Sequence, residues 1–443
     1  VTAMKSLFVL AVFVALASTA LAADKVTPGY GPEKVLQQSG YITVPGFNKD
    51  NGTHLYYWFF ESRQAPETAP LVFWFTGGPG CSGLTALFVE NGPYKVNKDL
   101  SLSLNPYSWN SVANVLWIDQ PVGTGFSYSD SIIDLATNEE QVSIDLYQFL
   151  QTFLQRNPKY AKLPFFITGE SYAGHYNSHF ASYIVEKNRE GKNPKINFQG
   201  VAIGNGWVDP LWQYKKYADF MYGAGFLSVA QRDTYNNYTY PACAQAVQSG
   251  NWPVALSLCN SGMTGVLLSS EIAAGRTINV YDVRIPCEVP PLCYDFSAVT
   301  DFLNQNKIKE ALGVSTDITW ESCVSGVHTA LLGDWVTSFA QDLPAVLKAG
   351  HRVLIYSGVE DFVCNYMGGF EWVQHMKWSG QGGFNSAGFH EWHVSGSKAG
   401  RAKTFNGFTF LEVNKAGHLA PMDQPVNTLD MFKRFLYNKP FFG

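Results

Sequence analysis

The sequence predicts an α/β fold with a central, mostly parallel sheet flanked by helices and interrupted by a helical cap insertion. Short apolar runs alternate with amphipathic helical patterns, as a sheet covered on both faces requires. Each of the leading runs ends at a turn bearing glycine or proline, where the chain can leave the sheet. Between about Trp207 and Val327 the alternation stops. A chain of 443 residues without a composition break is expected to form one large core carrying an insertion rather than several modules. Its 46% hydrophobic and 15% aromatic residues exclude disorder and supply a thick core.

In chain order, residues 1–22 read as a signal peptide: Lys5 precedes an apolar run from Leu7 to Leu16, and small residues end in Ala20-Leu21-Ala22, with cleavage expected after Ala22. The run is shorter than the roughly 20 residues that cross a bilayer. Three residues precede Met4, so the start is expected at that methionine. Residues 23–39 form a short N-terminal segment with no room for a long folded pro-segment. The first part of the core, 40–206, carries a strand at Leu71–Phe75 followed by Gly77-Gly78-Pro79-Gly80, and a second strand at Val112–Ile118. A helix follows over Ser143–Phe153, where Leu146, Tyr147 and Leu150 fall at helical spacing, and then a third strand at Pro164–Thr168. The insertion, 207–327, is rich in tyrosine and holds five of the seven cysteines. The second part of the core, 328–443, resumes with a helix over Trp335–Leu347, strands at Arg352–Tyr356 and Phe405–Val413, and a final helix at Leu429–Leu436.

With 31 basic against 36 acidic residues, a net charge of -5 and no long run of either sign, the chain has no electrostatic footprint for nucleic acid. No stretch beyond the leader is apolar enough for membrane insertion, and no obligate protein partner is evident. The leader directs the chain to the secretory pathway, with vacuole, lysosome and extracellular space all open. Seven cysteines, at 81, 243, 259, 287, 293, 323 and 364, suit an oxidising compartment with one thiol left over. None has metal-site spacing, and His390-Glu391-Trp392-His393 is not the H-E-x-x-H zinc pattern, so no metal is expected. Asn51 and Asn237 head glycosylation sequons in polar, turn-rich stretches.

The chemistry concentrates at strand ends, where sites form in such sheets. Gly169-Glu170-Ser171-Tyr172-Ala173 places a serine between small residues at the end of the third apolar run. Small flanks permit the sharp strand-to-helix turn that exposes a nucleophilic hydroxyl. A serine needs an imidazole to take its proton and a carboxylate to orient that imidazole. Asp361 and His418 each follow a strand and a glycine-bearing turn, in the order Ser, Asp, His. Asp334, Asp423 and the other histidines compete for these roles. The glycine loop after Leu71–Phe75 offers the second oxyanion donor, and since Pro79 has no amide hydrogen, the expected pair is the amides of Gly78 and Tyr172.

These stretches resemble the serine carboxypeptidase family, an α/β-hydrolase family, and its carboxypeptidase Y-like members in particular. The resemblance rests on Gly77-Gly78-Pro79-Gly80-Cys81-Ser82, Asn105 to Asn110, Ile118 to Tyr128, Gly169 to Tyr176, Gly204-Asn205-Gly206, Asp361 to Asn365 and Ala416-Gly417-His418. It implies removal of C-terminal residues from peptides and proteins through a Ser-His-Asp acyl-enzyme, without a cofactor. It further implies that Trp74, Thr76, Glu90 and Glu170 line the pocket for the substrate's terminal carboxylate. Adjacent carboxyls cannot easily both ionise, so one can keep a proton and donate it to that carboxylate, which predicts an acidic pH optimum. The family's disulfides would correspond to Cys81–Cys323, Cys243–Cys259 and Cys287–Cys293, with Cys364 as the free thiol. Thr76 stands where the family usually has asparagine, which keeps open an acyltransferase or esterase using the same triad. Catalytic loss is the remaining alternative, and an intact triad argues against it.

Overall fold

The computed structural model describes residues 26–46, 52–131, 134–290 and 292–442; the leader read at 1–22 and the Asn51 sequon lie outside them. The strands are β1 (Val26–Thr27), β2 (Gln37–Val44), β3 (Thr53–Phe60), β4 (Leu71–Phe75), β5 (Tyr94–Val96), β6 (Leu102–Leu104), β7 (Asn114–Ile118), β8 (Tyr128–Ser129), β9 (Phe165–Glu170), β10 (Phe198–Gly204), β11 (Arg352–Gly358), β12 (His390–Val394), β13 (Ser397–Phe405) and β14 (Phe408–Val413). Twelve of them form one sheet, in the order β1-β2-β3-β7-β4-β9-β10-β11-β14-β13-β12 with β8 beside β3, while β5 and β6 make a separate hairpin. From β7 to β14 every neighbouring pair is parallel. Antiparallel strands complete both edges.

The central strands are continuous apolar runs because both their faces are covered: all residues of β4, β7 and β9 are buried. Alternation sorts their side chains to two cores. Phe73, Phe75, Leu116, Ile118 and Ile167 pack in one with the helices α2 (Glu139–Arg156) and α3 (Ala173–Glu190). Val72, Trp74, Val115, Trp117 and Phe166 pack in the other with α1 (Gly83–Val89) and the C-terminal helix Pro425–Leu436. Asn138 caps α2 by accepting the Gln141 amide, and Gly191, at φ 67°, ends α3 in the left-handed conformation that glycine adopts freely.

Between β10 and β11 the described residues form helices and turns, of which Trp252–Ala274 is the longest helix. The disulfides are Cys81–Cys323, Cys243–Cys259 and Cys287–Cys293, and Cys364 is free and buried. Two expected elements are corrected. Phe405–Val413 is not one strand: β13 and β14 form a hairpin turning at Asn406-Gly407, both at positive φ, a turn pair overlooked in an aromatic run. The helix expected over Trp335–Leu347 is a turn, a short 3-10 segment at Ala340–Asp342 and a helix only from Leu343 to Lys348. The earlier residues bond sideways instead, the Phe339 amide to the Val208 carbonyl and the Trp335 carbonyl to the Trp207 indole.

The C-terminal helix is fastened by Phe432, which stacks on Trp109 at 4.0 Å between ring centroids and is 1% exposed. Phe432→Ala is expected to destabilise the protein by about 3–5 kcal/mol in urea unfolding; a loss below about 1 kcal/mol would show that the helix is held elsewhere.

Candidate active site

The parallel strands end together, and there the chain turns from β9 into α3 through Ser171. This residue has φ 61°, a left-handed conformation rare for a residue with a side chain and characteristic of functional turns. Backbone bonds hold it: the Ser171 amide donates to the Gly204 carbonyl at 3.1 Å, and the Ser171 carbonyl accepts the amides of Gly174 and Trp207 at 2.9 and 2.8 Å. The small flanks are obligatory. A Cβ on Gly169 would lie 2.4 Å from the Phe75 carbonyl oxygen, and one on Gly174 2.4 Å from that of Trp207.

The Gly77–Cys81 loop leaves β4 and presses on this turn, so that a Cβ on Gly77 would meet the Tyr172 nitrogen at 2.4 Å and the Ser171 Cβ at 2.7 Å. Gly78 has φ 107°. Gly78, Tyr172, Ser171 and His418 line one cavity of about 270 Å³. Among the described residues, neither the Gly78 nor the Tyr172 amide donates to a backbone carbonyl. The loop is anchored at Ser82, whose hydroxyl bonds Asp119 and accepts the Trp320 indole, and at the Cys81–Cys323 disulfide, which also lines the cavity.

Asp361 follows β11 and His418 follows β14. His418 Nδ1 lies 2.8 Å from Asp361 Oδ2, with the carboxylate fully buried and the imidazole 3% exposed. An ionised carboxylate can only accept, so Nδ1 carries the hydrogen and Nε2 keeps its lone pair. The two loops touch at Gly358, where a Cβ would sit 2.0 Å from the Gly417 carbonyl oxygen. His418 is fixed by its own amide, which donates to the Tyr281 carbonyl at 2.7 Å. The competing carboxylates serve backbone: Asp423 accepts the Gly417 amide and Asp334 the Glu139 amide.

Asn205 was not singled out by sequence reasoning for any role. It follows β10 at φ 41°; its Nδ2 donates to Asp361 Oδ2 at 2.9 Å and its Oδ1 accepts the Gly358 amide at 3.1 Å. One side chain thus orients the carboxylate and braces the strand from which the carboxylate comes. The available signal was Gly204-Asn205-Gly206, a glycine-flanked polar residue at the end of an apolar run.

Glu90, at the C-terminus of α1, and Glu170, the last residue of β9, are 3% and 2% exposed and line the cavity with Thr76. Burial raises both well above the ordinary carboxyl range, and for Glu170 the neighbouring Glu90 charge raises it further. Trp74 departs from expectation: it is fully buried behind the wall, and its indole N–H donates to Thr76 Oγ1 at 3.0 Å. It lies on the same side of the chain as Thr76 but packs beneath it, edge-on against Trp109 at 5.2 Å between ring centroids. The Thr76 hydroxyl, having accepted that bond, keeps its own hydrogen for the cavity.

Cys364 also lines the cavity, and burial, then the charges of Asp361 and Glu170, push its thiol well up, so it stays protonated. Asp361, Cys364 and His418 are the sole group among the described residues close enough to ligate one ion, within 4.8 Å of one another. An ion there would compete with the bond between His418 and Asp361. His390 and His393 lie on the edge strand β12. Asn237 is exposed on a π-helical turn over Tyr235–Thr239.

A family model described as serine carboxypeptidase matches residues 28–438. The chain is 42% identical to serine carboxypeptidase-like 49 of Arabidopsis thaliana over 406 residues, covering 90% of this chain and 76% of that one. It is 41% identical to serine carboxypeptidase S10 family member 1 of Dictyostelium discoideum, covering 91% and 94%. Its fold is similar to that of Kex1Δp, a prohormone-processing carboxypeptidase from Saccharomyces cerevisiae, with a TM-score of 0.82 at 24% identity over 93% of this chain and 94% of that one.

Replacing Asn205 by leucine keeps the volume but leaves Asp361 and the Gly358 amide each short of a buried partner. Asn205→Leu is expected to cost about 1–3 kcal/mol in urea unfolding, and a neutral result would mean that the bonds at Asp361 Oδ2 and Gly358 are readily replaced.

Proposed function

The chain belongs to the serine carboxypeptidase family and is a serine-type carboxypeptidase, and from that premise we propose the residues and the mechanism by which it acts. Ser171 Oγ attacks the carbonyl carbon of the last peptide bond while His418 Nε2 takes its proton, and Asp361 stabilises the imidazolium that forms. The carbonyl oxygen becomes an oxyanion between the amides of Gly78 and Tyr172. His418 then gives the proton to the departing amino group, which releases the terminal residue and leaves an acyl-Ser171. Water, activated by the same imidazole, hydrolyses that ester and restores the serine.

The observation that carries this reading is the buried Glu90–Glu170 pair beside Ser171 in one cavity. A pair that shares a proton presents a donor and only one negative charge, and with the Thr76 hydroxyl it can hold a terminal carboxylate that two ionised glutamates would repel. Only substrates ending in a free carboxylate then place their last peptide bond at Ser171. The second reading, an acyltransferase or esterase with the same triad, is favoured by Thr76, whose single hydroxyl reaches less far than an amide. Three disulfides support maturation in the secretory pathway, with vacuole, lysosome or extracellular space as destination and Asn237 as a glycan site.

Two measurements test the reading. Mass spectrometry of a peptide with a free C-terminus should show stepwise loss of terminal residues by the wild type and none by Ser171→Ala, while the same peptide amidated at its C-terminus should survive. Equal cleavage of both peptides, or hydrolysis of simple esters with peptides untouched, would transfer the assignment to the esterase reading.

The pH dependence follows from the sign of the carboxyl shifts. Both glutamates are raised, so the pair holds its proton in mildly acidic solution, and both the proton and the stability of the un-ionised pair are lost as the pH rises through those raised values. KM for a peptide should climb by roughly tenfold per pH unit once the proton has gone, with kcat less affected. Glu90→Gln should flatten that climb, and a KM that does not change from mildly acidic to mildly alkaline pH would remove the shared proton from the mechanism.

A further inference from the structure

A further buried carboxyl lies behind the nucleophile turn and is not used in the mechanism above. Glu139 is the first residue of α2, where an acidic side chain normally reaches solvent while favouring the helix dipole. Here it is 1% exposed, and its carboxyl faces the Tyr172 phenol. The buried Tyr172 phenol has Glu139 as its partner, and the buried Tyr176 phenol faces the Gly80 amide. Glu139 is the largest charge that each of these phenols would meet if it were ionised, which places the three groups together.

Burial and the neighbouring acids oppose the charged form of Glu139 and prevail over His179 and the Tyr172 phenol, which favour it. Asp334 faces Glu139 and bonds its amide, Asp342 stands further off, and His179 is held between Asp342 and Glu140 at 2.8 and 3.0 Å. Burial, with the Asp334 charge second, raises Glu139 well above the carboxyl range. A neutral carboxyl has one hydrogen to give and an oxygen to accept with, so it can satisfy a phenol on each side. A buried phenol left without such a partner would cost free energy.

The position of the two tyrosines gives the cluster a function. Tyr172 carries one of the two oxyanion amides, and its ring is wedged between His175 at 4.6 Å and Trp335 at 5.6 Å. Tyr176 stands one helical turn on, edge to Tyr172 at 5.2 Å, with its phenol facing the Gly80 amide of the loop that carries Gly78. We propose that Glu139 is a positioning residue which, through the phenols of Tyr172 and Tyr176, fixes the two halves of the oxyanion hole relative to one another. The inference rests on the assignment of the Gly78 and Tyr172 amides to that hole.

The test compares wild type, Glu139→Gln, Glu139→Leu and Tyr172→Phe for peptide hydrolysis, for inhibition by a peptide aldehyde that forms a tetrahedral adduct, and for binding of a cleaved product. Glutamine keeps a neutral group that both donates and accepts, so Glu139→Gln should stay within about twofold of wild type. Glu139→Leu and Tyr172→Phe should lose kcat by about 10–100-fold, below or at the low end of what removing an oxyanion donor costs. KM and product binding should hold, and aldehyde affinity should fall by a similar factor. Stability loss in Glu139→Leu without any change in kcat or aldehyde affinity would overturn the inference; if that variant does not fold, Tyr172→Phe decides in the same way. Wild-type cleavage against Ser171→Ala reports separately on the underlying assignment. A cleaving wild type with an equally active Glu139→Leu sinks only the inference, and a wild type that cleaves nothing sinks both.

Discussion

Everything at the strand ends depends on one residue, Ser171, held in a left-handed backbone conformation that its side chain disfavours. Such a conformation persists only where the surroundings over-determine it. Here they are almost entirely backbone: carbonyls and amides of Gly204, Gly174 and Trp207 bond to the turn, and Gly77, Gly169 and Gly174 admit main chain where any Cβ would collide. Because these contacts come from β4, β9, β10 and the start of α3, the turn cannot relax without shifting the ends of several strands. The parallel sheet is therefore the device that holds the serine, and its buried, apolar strands give the device its rigidity.

Around that turn the protein places carboxyl groups in sharply different environments. Asp361 receives two bonds from Asn205 and Cys364 besides that of His418, which suits a charged acceptor. Glu90 and Glu170 receive no comparable set and are raised by burial, which suits a shared proton. The difference is one of partner supply: donors converge on Asp361, and few reach the two glutamates, whose charge burial disfavours. Glu170 directly precedes Ser171 in the chain, and Glu139 faces the phenol of Tyr172, which directly follows it.

Much of this was legible in sequence because it is local. The Ser171 turn, the glycine loop and the strand ends bearing Asp361 and His418 each advertise themselves within a few residues, and the central strands are unbroken apolar runs. Long-range features were not legible. Asn205 acts on a carboxylate 156 residues away, and no local pattern distinguishes it from an ordinary turn asparagine. Trp74 was expected on the cavity wall from the family resemblance, yet it packs beneath Thr76 against Trp109. The segment from Trp335 has helical spacing of apolar residues, but its backbone groups find partners on Val208 and Trp207, and tertiary bonding overrides the local pattern. The hairpin at Asn406-Gly407 was hidden because Phe405, the last residue of β13, reads as the start of the aromatic run that continues into β14.

The disulfide from Cys81 to Cys323 closes a covalent ring across 242 residues, and that ring contains Ser171 while Asp361 and His418 lie beyond it. The exposed polypeptide between β10 and Cys323 therefore need not be continuous for the parts to stay together. A single scission there would produce two chains, the first bearing Ser171 and the second Asp361 and His418, still joined by sulfur. Cuts within the short rings of Cys243–Cys259 and Cys287–Cys293 would not release even a local end. The molecule thus has the connectivity of a two-chain protein in reserve, which is a form of durability suited to surroundings where other proteases are at work.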